Sequence, residues 1–373
     1  MRGFFWGAAA LILYTYFGYP AWLWVRSRWR SRSLESAPFT PLISVVMVVR
    51  NEEQFLRRKL QNLLQLDYPC ELSQILVVSD GSTDGTETIL REYAQDPRVI
   101  VLLNHLPRGK ASGLNDALAL AQGEIVVLTD ARQLLERNSV RILMEDFADP
   151  VVGCVSGELM LGDPESGEIG QGTGLYWGYE KRVRELEATS GSVVGATGAF
   201  YAVRRNLLAA LPPETILDDV YVPMQVVRQG ARVGFDSRAR AWDDAKLQTE
   251  HEFGRKVRTL SGNYQLLQLA PWLLTSENPI RFEFVSHKLL RLLMPFALTV
   301  ALITPAFLPQ PIYRVALVMQ LFFYGLSLLA RLHLARGILG RIADAAHTFV
   351  FLNVAALVAF MNFITGRKVV WGQ

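Results

Sequence analysis

Four uncharged hydrophobic runs most strongly limit what this chain can fold into. No Asp, Glu, Lys or Arg occurs in residues 3–25, 292–313, 315–330 and 345–366. Three of the runs reach the ~20 residues that a helix needs to cross a bilayer. The shorter run, at 315–330, has an arginine at each end that can extend to the interface. The charged residues lie mainly between the first run and the second, which predicts a membrane protein with one large water-facing domain.

The first run is either a cleavable signal peptide or an uncleaved anchor. It is long, rich in Trp and Tyr, and followed by an arginine at every second position from 26 to 32. A signal peptide has a shorter apolar core, ends in small residues and carries its positive charge in front. We therefore favour an anchor over residues 1–26, followed by a basic linker over residues 27–40.

The net charge limits the expected binding partners, and the cysteine content bears on the cellular compartment. The net charge is only +3, and the arginine-rich linker accounts for part of it. Such a linker favours anionic lipid headgroups, so we expect the lipid bilayer as a partner and no nucleic acid. The two cysteines, Cys70 and Cys154, indicate no disulfide framework and are compatible with a reducing cytoplasm.

Strand and helix patterns alternate in the first half of the water-facing part. Short β-rich runs at residues 42–49, 75–79, 99–103 and 125–129 are separated by helical patterns. This alternation predicts an α/β fold with a doubly wound, mostly parallel sheet. In the less regular second half we expect strands at 151–156 and 232–235, helices at 176–187, 218–230 and 246–268, and a loop at 157–174. The small residues at 191–201 would let a ligand approach the backbone closely.

Carboxylates follow several of these predicted elements. Asp130 comes directly after the strand at 125–129, at the sheet edge where open α/β sheets bind ligands. Taken alone, Asp130 is more readily explained as a cap of the helix that is predicted to start near Glu136. Further acids and cations occur in order along the chain: Asp80, Asp84, Arg108, Lys110, Asp218, Asp219, Arg255 and Arg258. Carboxylates for a metal and a sugar, with cations for phosphate, favour a nucleotide-sugar site.

Three segments resemble glycosyltransferase family 2, the inverting enzymes of the GT-A fold. SVVMVVRNEE at 44–53 is similar to the family's first strand and its Asn-Glu turn. VVSDGSTDGT at 77–86 is similar to its nucleotide-binding turn, and RGKASGLNDAL at 108–118 to its Gly-Lys-Ala segment. The resemblance implies a GT-A domain over residues 41–268. Membrane-bound processive members carry the same domain between hydrophobic helices.

The residues beyond that domain complete the predicted organisation. Aromatic and basic residues at 269–290 suit an interfacial segment. Residues 291–373 would form a C-terminal transmembrane region of about three helices.

The resemblance also implies a donor site that favours a UDP-sugar. Asp80 would contact the uracil or ribose, because a carboxylate accepts from an N–H or a hydroxyl. Asp84 would support the same turn, Lys110 would face the nucleotide, and Asn115 would face the pocket behind it. The full implied donor set is Asn51, Glu52, Asp80, Asp84, Lys110, Asn115 and Asp130.

Metal binding is implied by the match of Asp130 to the first acid of the family's Asp-x-Asp motif. Here the sequence departs from the family, because Arg132 stands at the second acid. One carboxylate can still bind Mg²⁺ or Mn²⁺ if the diphosphate and waters complete the coordination shell.

Catalysis is implied by the match of Asp219 to the general base, with Asp218 in place of the preceding Glu. An inverting transfer needs one base to deprotonate the acceptor hydroxyl. Arg258 matches the Arg of a Gln-x-x-Arg-Trp motif that is otherwise altered, which places processive synthesis in question. The implied diphosphate and acceptor residues are Asp218, Arg255, Arg258, Tyr179, Glu180 and Gly198.

The predicted function is a membrane-bound inverting glycosyltransferase that transfers a sugar from a nucleotide-diphosphate sugar to a glycan or lipid-linked acceptor. A transporter is disfavoured because the hydrophobic runs lack acids or charge pairs. A non-catalytic nucleotide sensor is disfavoured because Asp219 is present. We expect a bacterial inner membrane protein with a cytoplasmic catalytic domain, since sugar nucleotides are made in the cytoplasm and arginines follow the first run.

Overall fold

The structure is a computed structural model that describes residues 1–162, 175–244, 252–332 and 337–367. The strands are β1 (Ile43–Val49), β2 (Ser73–Asp80), β3 (Val99–Asn104), β4 (Ile125–Thr129), β5 (Leu134–Leu135), β6 (Val152–Leu161), β7 (Phe200–Arg204) and β8 (Arg232–Asp243). The helices are α1 (Arg2–Trp29), α2 (Glu53–Leu64), α3 (Thr86–Tyr93), α4 (Lys110–Leu120), α5 (Ser139–Asp146), α6 (Leu175–Ser190), α7 (Asp218–Arg228), α8 (Glu252–Leu269), α9 (Arg281–Phe307), α10 (Pro311–Arg331) and α11 (Gly337–Ile364).

The first half of the domain forms the parallel part of one sheet. The strand order is β3-β2-β1-β4-β7-β6-β8-β5, and β1 pairs in parallel with both β2 and β4. Every residue of β1 and β4 is buried, which explains why these strands appear in the sequence as unbroken apolar runs. The predicted α/β fold with a parallel sheet is confirmed for this half.

The second half of the sheet is mixed. β7 runs antiparallel to both β4 and β6, whereas β6 and β8 are parallel. The loop predicted at 157–174 is wrong for residues 157–161, which continue β6, and its residues 163–174 lie outside the described residues. The segment of small residues at 191–201 ends in β7, which begins at Phe200.

A close approach between β6 and β7 explains these differences. A Cβ atom at Gly157 would lie 2.5 Å from the ring of Phe200, so glycine is required within the strand rather than in a loop. The pairing of β6 with β8 shifts register between Ser156 and Glu158. β8 also extends beyond the predicted end at residue 235, because its later residues pair with both β6 and β5.

Helices cover both faces of the sheet, as a doubly wound fold requires. One face of β1, with Val46 and Val48, packs against apolar residues of α4 and α7. The opposite face, with Val45 and Met47, packs against α2, α3 and α5. The predicted helix at 176–187 is confirmed as α6. The helix predicted at 246–268 corresponds to α8, whose described part begins at Glu252.

Four helices are long and apolar enough to cross a membrane, namely α1, α9, α10 and α11. Small residues bring α1 and α9 together, with Ala8 packed against Ala297 and Ala301. Large apolar side chains on α10 are exposed, including Val318 at 65% and Phe322 at 64%. Exposed apolar surface of this extent suggests membrane association.

Candidate active site

The loops that follow β1 and β2 are joined into one double turn. Asn51, in a left-handed conformation with φ of 55°, accepts a hydrogen bond from the Thr83 amide at 2.8 Å. In return, Asp84 accepts from the Glu53 amide at 3.2 Å, and Glu53 accepts from the Gly85 amide at 2.9 Å. Asn51 and Asp84, two residues predicted to bind the sugar donor, therefore stabilise the double turn that follows β1 and β2.

Asp80 fixes a third loop to this turn. Its buried carboxylate accepts from the backbone amides of Arg108 at 2.7 Å and Gly109 at 2.8 Å. Gly109 has a φ of 90°, a conformation that favours glycine. Asp80 thus sets the backbone conformation immediately before Lys110, and this role was not anticipated from the sequence.

Lys110, at the start of α4, contacts two other predicted site residues, one beside β4 and one on α7. Its Nζ lies 3.0 Å from Asp130 Oδ1, at the end of β4, and 3.2 Å from Asp218 Oδ1, at the start of α7. Although burial opposes the charge, Asp130 and Asp218 raise the pKa of Lys110 well above its usual range. A cation of this kind, close to an open sheet edge, suits a phosphate group.

Asp218 and Asp219 open α7 and have different surroundings. Asp218 is buried and accepts from the Tyr201 hydroxyl at 3.3 Å. Asp219 is half-buried, and burial together with the Asp218 charge raises its pKa to about 6. Gly198 packs against Asp219, and a Cβ atom there would lie 3.1 Å from Asp219 Oδ2. The predicted Gly198 thereby leaves space beside the predicted base.

The region around Asp130 fits a divalent cation only if the bound ligand supplies most of the oxygens. The Asp130 side chain is 40% exposed. Arg132, at the second acid position, is ion-paired with Asp243, whose side chain is fully buried. The pKa of Glu52 is raised to about 7, chiefly by burial and to a smaller extent by repulsion from the Asp130 carboxylate. The described residues hold no group of three His, Cys, Asp or Glu side chains suited to a metal.

A large basic cavity opens beside Lys110. Its volume is about 640 Å³, within the range of small-molecule sites. The basic residues that line it are Arg50, Arg108, Lys110, Arg258 and Arg367. The predicted Arg258 therefore faces the same cavity as Lys110. The predicted Arg255 is affected by the charge of Arg132. Burial and, to a smaller extent, this charge lower the pKa of Arg255.

Asn115, Tyr179 and Glu180 are engaged in contacts within the protein. Asn115 exchanges two hydrogen bonds of 2.8 Å with the backbone of Leu211. Tyr179 donates to the carbonyl of Tyr16 at 3.1 Å. Glu180 is ion-paired with Arg291 of α9. Tyr179 and Glu180 therefore link the domain to the apolar helices.

Comparison with known proteins identifies the domain. The family model "Glycosyl transferase family 2" matches residues 44–211, which include the double turn, Lys110 and Asp130. Residues 44–211 form a glycosyl transferase family 2 domain. The family resemblance predicted from the three sequence segments is thereby confirmed.

Individual relatives of the family 2 domain include two curated proteins. The chain is 24% identical over 268 residues to the beta-monoglucosyldiacylglycerol synthase of Synechocystis sp., covering 69% of this chain and 56% of the relative. It is 23% identical over 236 residues to the poly-beta-1,6-N-acetyl-D-glucosamine synthase of Staphylococcus epidermidis, covering 62% and 56%. The chain spans about half the length of the curated relatives it matches.

A solved structure shares the fold of the whole chain. A mannosyltransferase from Pyrobaculum calidifontis, in complex with GDP-Man and Mn²⁺, superposes with a TM-score of 0.74 at 23% identity. The match covers 97% of this chain and 99% of that one. The GT-A fold is therefore confirmed, with its apolar helices included in the similarity.

One buried residue of the family 2 domain was missed by the sequence analysis. Lys59 is fully buried and donates to Thr129 Oγ1 at 2.7 Å and to the Gln133 carbonyl at 2.6 Å. Burial lowers its pKa to about 7. It holds both ends of the segment that contains Asp130. The sequence does contain a signal that Lys59 is buried, because Lys59 lies on the apolar stripe of α2 between Leu56 and Leu63.

Proposed function

We propose that the chain transfers a sugar, with inversion, from a nucleoside diphosphate sugar to a glycan or lipid-linked acceptor, with Asp219 as the general base. The observation that carries the proposal is the position of Lys110 between Asp130 and Asp218. This arrangement joins a carboxylate at the donor edge of the sheet to the helix start that bears Asp219. A UDP-sugar is the favoured donor, and a GDP-sugar is the alternative that the bound GDP-Man of the Pyrobaculum neighbour supports.

Asp219 supplies the proton acceptor in this mechanism. With a pKa of about 6, its carboxylate is ionised at neutral pH and basic enough to accept a proton as the acceptor hydroxyl attacks. The new bond forms between that oxygen and C1 of the sugar, while the bond from C1 to the diphosphate oxygen breaks. A single displacement of this kind inverts the configuration at C1. Gly198 leaves the space beside Asp219 through which the hydroxyl approaches.

Cationic residues stabilise the departing diphosphate. Lys110 would exchange its contacts with Asp130 and Asp218 for phosphate oxygens, and Arg258 faces the same cavity. Asp130 is the residue that would hold Mg²⁺ or Mn²⁺, and the neighbouring mannosyltransferase contains Mn²⁺. A bound divalent cation supplies charge neutralisation at the diphosphate.

We further propose that the domain faces the cytoplasm from a bacterial inner membrane. The four apolar helices support membrane insertion, and sugar nucleotides are made in the cytoplasm. The names of the two curated relatives point to a glycolipid and a polysaccharide as products. For this chain, the altered motif around Arg258 favours a limited number of transfers.

A donor panel tests the proposal. The full chain, purified in detergent, is given UDP- and GDP-sugars together with a membrane lipid extract, and release of nucleoside diphosphate is measured. We expect release with one donor, its loss on chelation, and its recovery with Mg²⁺ or Mn²⁺ in the unaltered chain but not in Asp130→Ala. Asp67→Ala, at an exposed surface ion pair, is the matched control. Release that is unaffected by chelator and by Asp130→Ala would contradict the metal assignment.

A further inference from the structure

A second polar cavity lies where the domain meets the apolar helices. It has a volume of about 220 Å³ and is lined by residues of β6, α6, α8, α9 and α11. Sites for whole small-molecule ligands typically span about 300–1,000 Å³. This cavity is therefore too small for a sugar nucleotide and suits a single small polar group. Its basic lining residues are Lys181, Arg184, Lys256, Lys288 and Arg291.

The acids that line the cavity are already matched by cations. Glu158 is ion-paired with Lys181 at 2.7 Å. Glu180 is ion-paired with Arg291 and lies 3.3 Å from His287 Nε2. Arg291 and His287 hold the pKa of Glu180 well below its usual range, although burial acts in the opposite direction. Glu180 is therefore a carboxylate at neutral pH, and its ion pair is with Arg291.

The remaining cations leave the cavity with a positive surplus. Among the residues that the structure describes, neither Lys256 nor Lys288 forms an ion pair. Arg184 donates to the neutral hydroxyl of Thr197 at 2.6 Å. Within the same described part of the chain, Nε and Nη2 of Arg291 are buried without a hydrogen-bond acceptor. Buried donors of this kind are costly unless a ligand oxygen accepts from them.

The cavity is connected to the proposed base on one side and to the apolar helices on the other. Thr197, which accepts from Arg184, precedes Gly198, and Gly198 packs against the Asp219 carboxylate. The charge of Lys288 also acts on Asp219, where it offsets part of the rise in pKa that burial and Asp218 cause. On the far side, Leu352 of α11 contributes to the lining.

We propose that this cavity binds the phosphate group of an anionic membrane lipid, and that this lipid carries the hydroxyl that accepts the sugar. The inference rests on the proposed function, which it deepens by naming the class of acceptor. The phosphate would be held by Lys256, Lys288 and Arg291, so that a hydroxyl a few bonds away reaches Asp219. In the transfer, that hydroxyl oxygen bonds to C1 of the sugar, its proton passes to Asp219, and the nucleoside diphosphate leaves.

Direct binding tests the inference without any donor. The full chain in neutral detergent is titrated by calorimetry with dodecyl phosphate, with dodecanol and with inorganic phosphate. We expect dodecyl phosphate to bind more tightly than either of the other two. Each of Lys256→Met and Lys288→Met should weaken its binding by about tenfold or more, because a charge-assisted hydrogen bond is lost. The control is Arg182→Gln on the same helix as Arg184, because Arg182 is exposed and pairs with Glu185; it should not change the affinity.

Each alternative outcome is decisive. Equal affinity for dodecanol would overturn the phosphate assignment, and equal affinity for inorganic phosphate would overturn the lipid assignment. If Lys288→Met does not fold, Lys256→Met still decides, since it lies on a different helix. Nucleoside diphosphate release without dodecyl phosphate binding would contradict this inference alone. Dodecyl phosphate binding without release from any sugar nucleotide would contradict the proposed function alone.

Discussion

At the scale of single residues, the carboxylates at the site differ in their surroundings and therefore in their roles. Asp80 is buried and accepts from two backbone amides, so its effect on a ligand is exerted through the loop before Lys110. Asp218 is buried against Tyr201 and Lys110. Asp219 is the half-buried acid whose pKa is raised, and these are the properties required of a general base.

The raised pKa of Asp219 predicts a specific pH dependence. A base must be deprotonated to act, and a pKa of about 6 means that Asp219 takes up a proton in mildly acidic solution. We expect kcat/KM to be constant above this pKa and to fall about tenfold per pH unit below it. The measurement is kcat/KM for the donor between pH 5 and pH 8, with donor affinity measured alongside. A rate that stays flat down to pH 5 would argue against Asp219.

A second residue-scale prediction concerns Asp80→Asn. The Asn side chain has only one oxygen that can accept, so the backbone N–H of either Arg108 or Gly109, both in partly buried hydrogen bonds, loses its acceptor. Loss of such a bond costs about 1–3 kcal/mol, and the loop before Lys110 becomes less ordered. We expect a lower melting temperature and roughly tenfold weaker binding of UDP or GDP by calorimetry. Unchanged nucleotide affinity in a folded variant would remove the loop from the donor site.

At the scale of elements, the residue at the second acid position of the Asp-x-Asp motif, Arg132, forms a long-range ion pair. Arg132, in the loop after β4, pairs with the buried Asp243 at the end of β8. Gln133 also donates to Asp243 at 3.0 Å. The pair therefore holds the Asp130 loop against β8, and a structural role for Arg132 becomes testable.

Arg132→Met should remove one of the groups that stabilise the buried Asp243 carboxylate. Removal of one member of such a pair typically costs about 3–5 kcal/mol, so we expect a large fall in melting temperature. The double variant Arg132→Met/Asp243→Leu should recover most of that loss, because neither charge remains. If instead Arg132→Met keeps its melting temperature and loses turnover, Arg132 acts on the diphosphate rather than on Asp243.

The sequence predicted the elements that have a simple local pattern. The strands β1, β2 and β4 were located to within two residues, because both of their faces are largely buried and their apolar runs are continuous. The mixed half was predicted less well, since glycine at position 157 serves a close contact with Phe200 inside a strand. The order of the acids predicted which of them belong to one site. Their actual partners depend on contacts between distant segments, such as Arg132 with Asp243, which no local pattern contains.

At the scale of the whole molecule, the helices and the domain are joined by buried polar contacts. Arg26, at the end of α1, is ion-paired with Glu283, at the start of α9. Tyr19 donates to Glu187 of α6 at 2.6 Å, and Glu187 also lies 2.7 Å from His287 Nδ1. These contacts place the cytoplasmic ends of α1 and α9 together in the proposed topology.

Cysteine labelling tests this topology. The background is Cys70→Ser, because Cys70 is exposed whereas Cys154 is buried. We expect a cysteine at Ser33 to react only from the cytoplasmic side, and one at Gln310, between α9 and α10, only from outside. A full crossing by α11 predicts that a cysteine at Gly372 also reacts from outside, against the positive-inside tendency of Arg367. Labelling of Ser33→Cys from outside would reverse the whole arrangement and remove the cytoplasmic donor site.

The most direct test of the central claim compares transfer with donor binding in Asp219→Asn. This substitution keeps the shape of the side chain and removes its capacity to accept a proton, while Lys110, Asp130 and Asp218 are left in place. Loss of an aligned general base lowers the rate by about 10²-fold or more. We predict that nucleoside diphosphate release falls by at least this factor while calorimetric donor affinity stays within about twofold of the unaltered chain. Full transfer activity in Asp219→Asn would contradict the account.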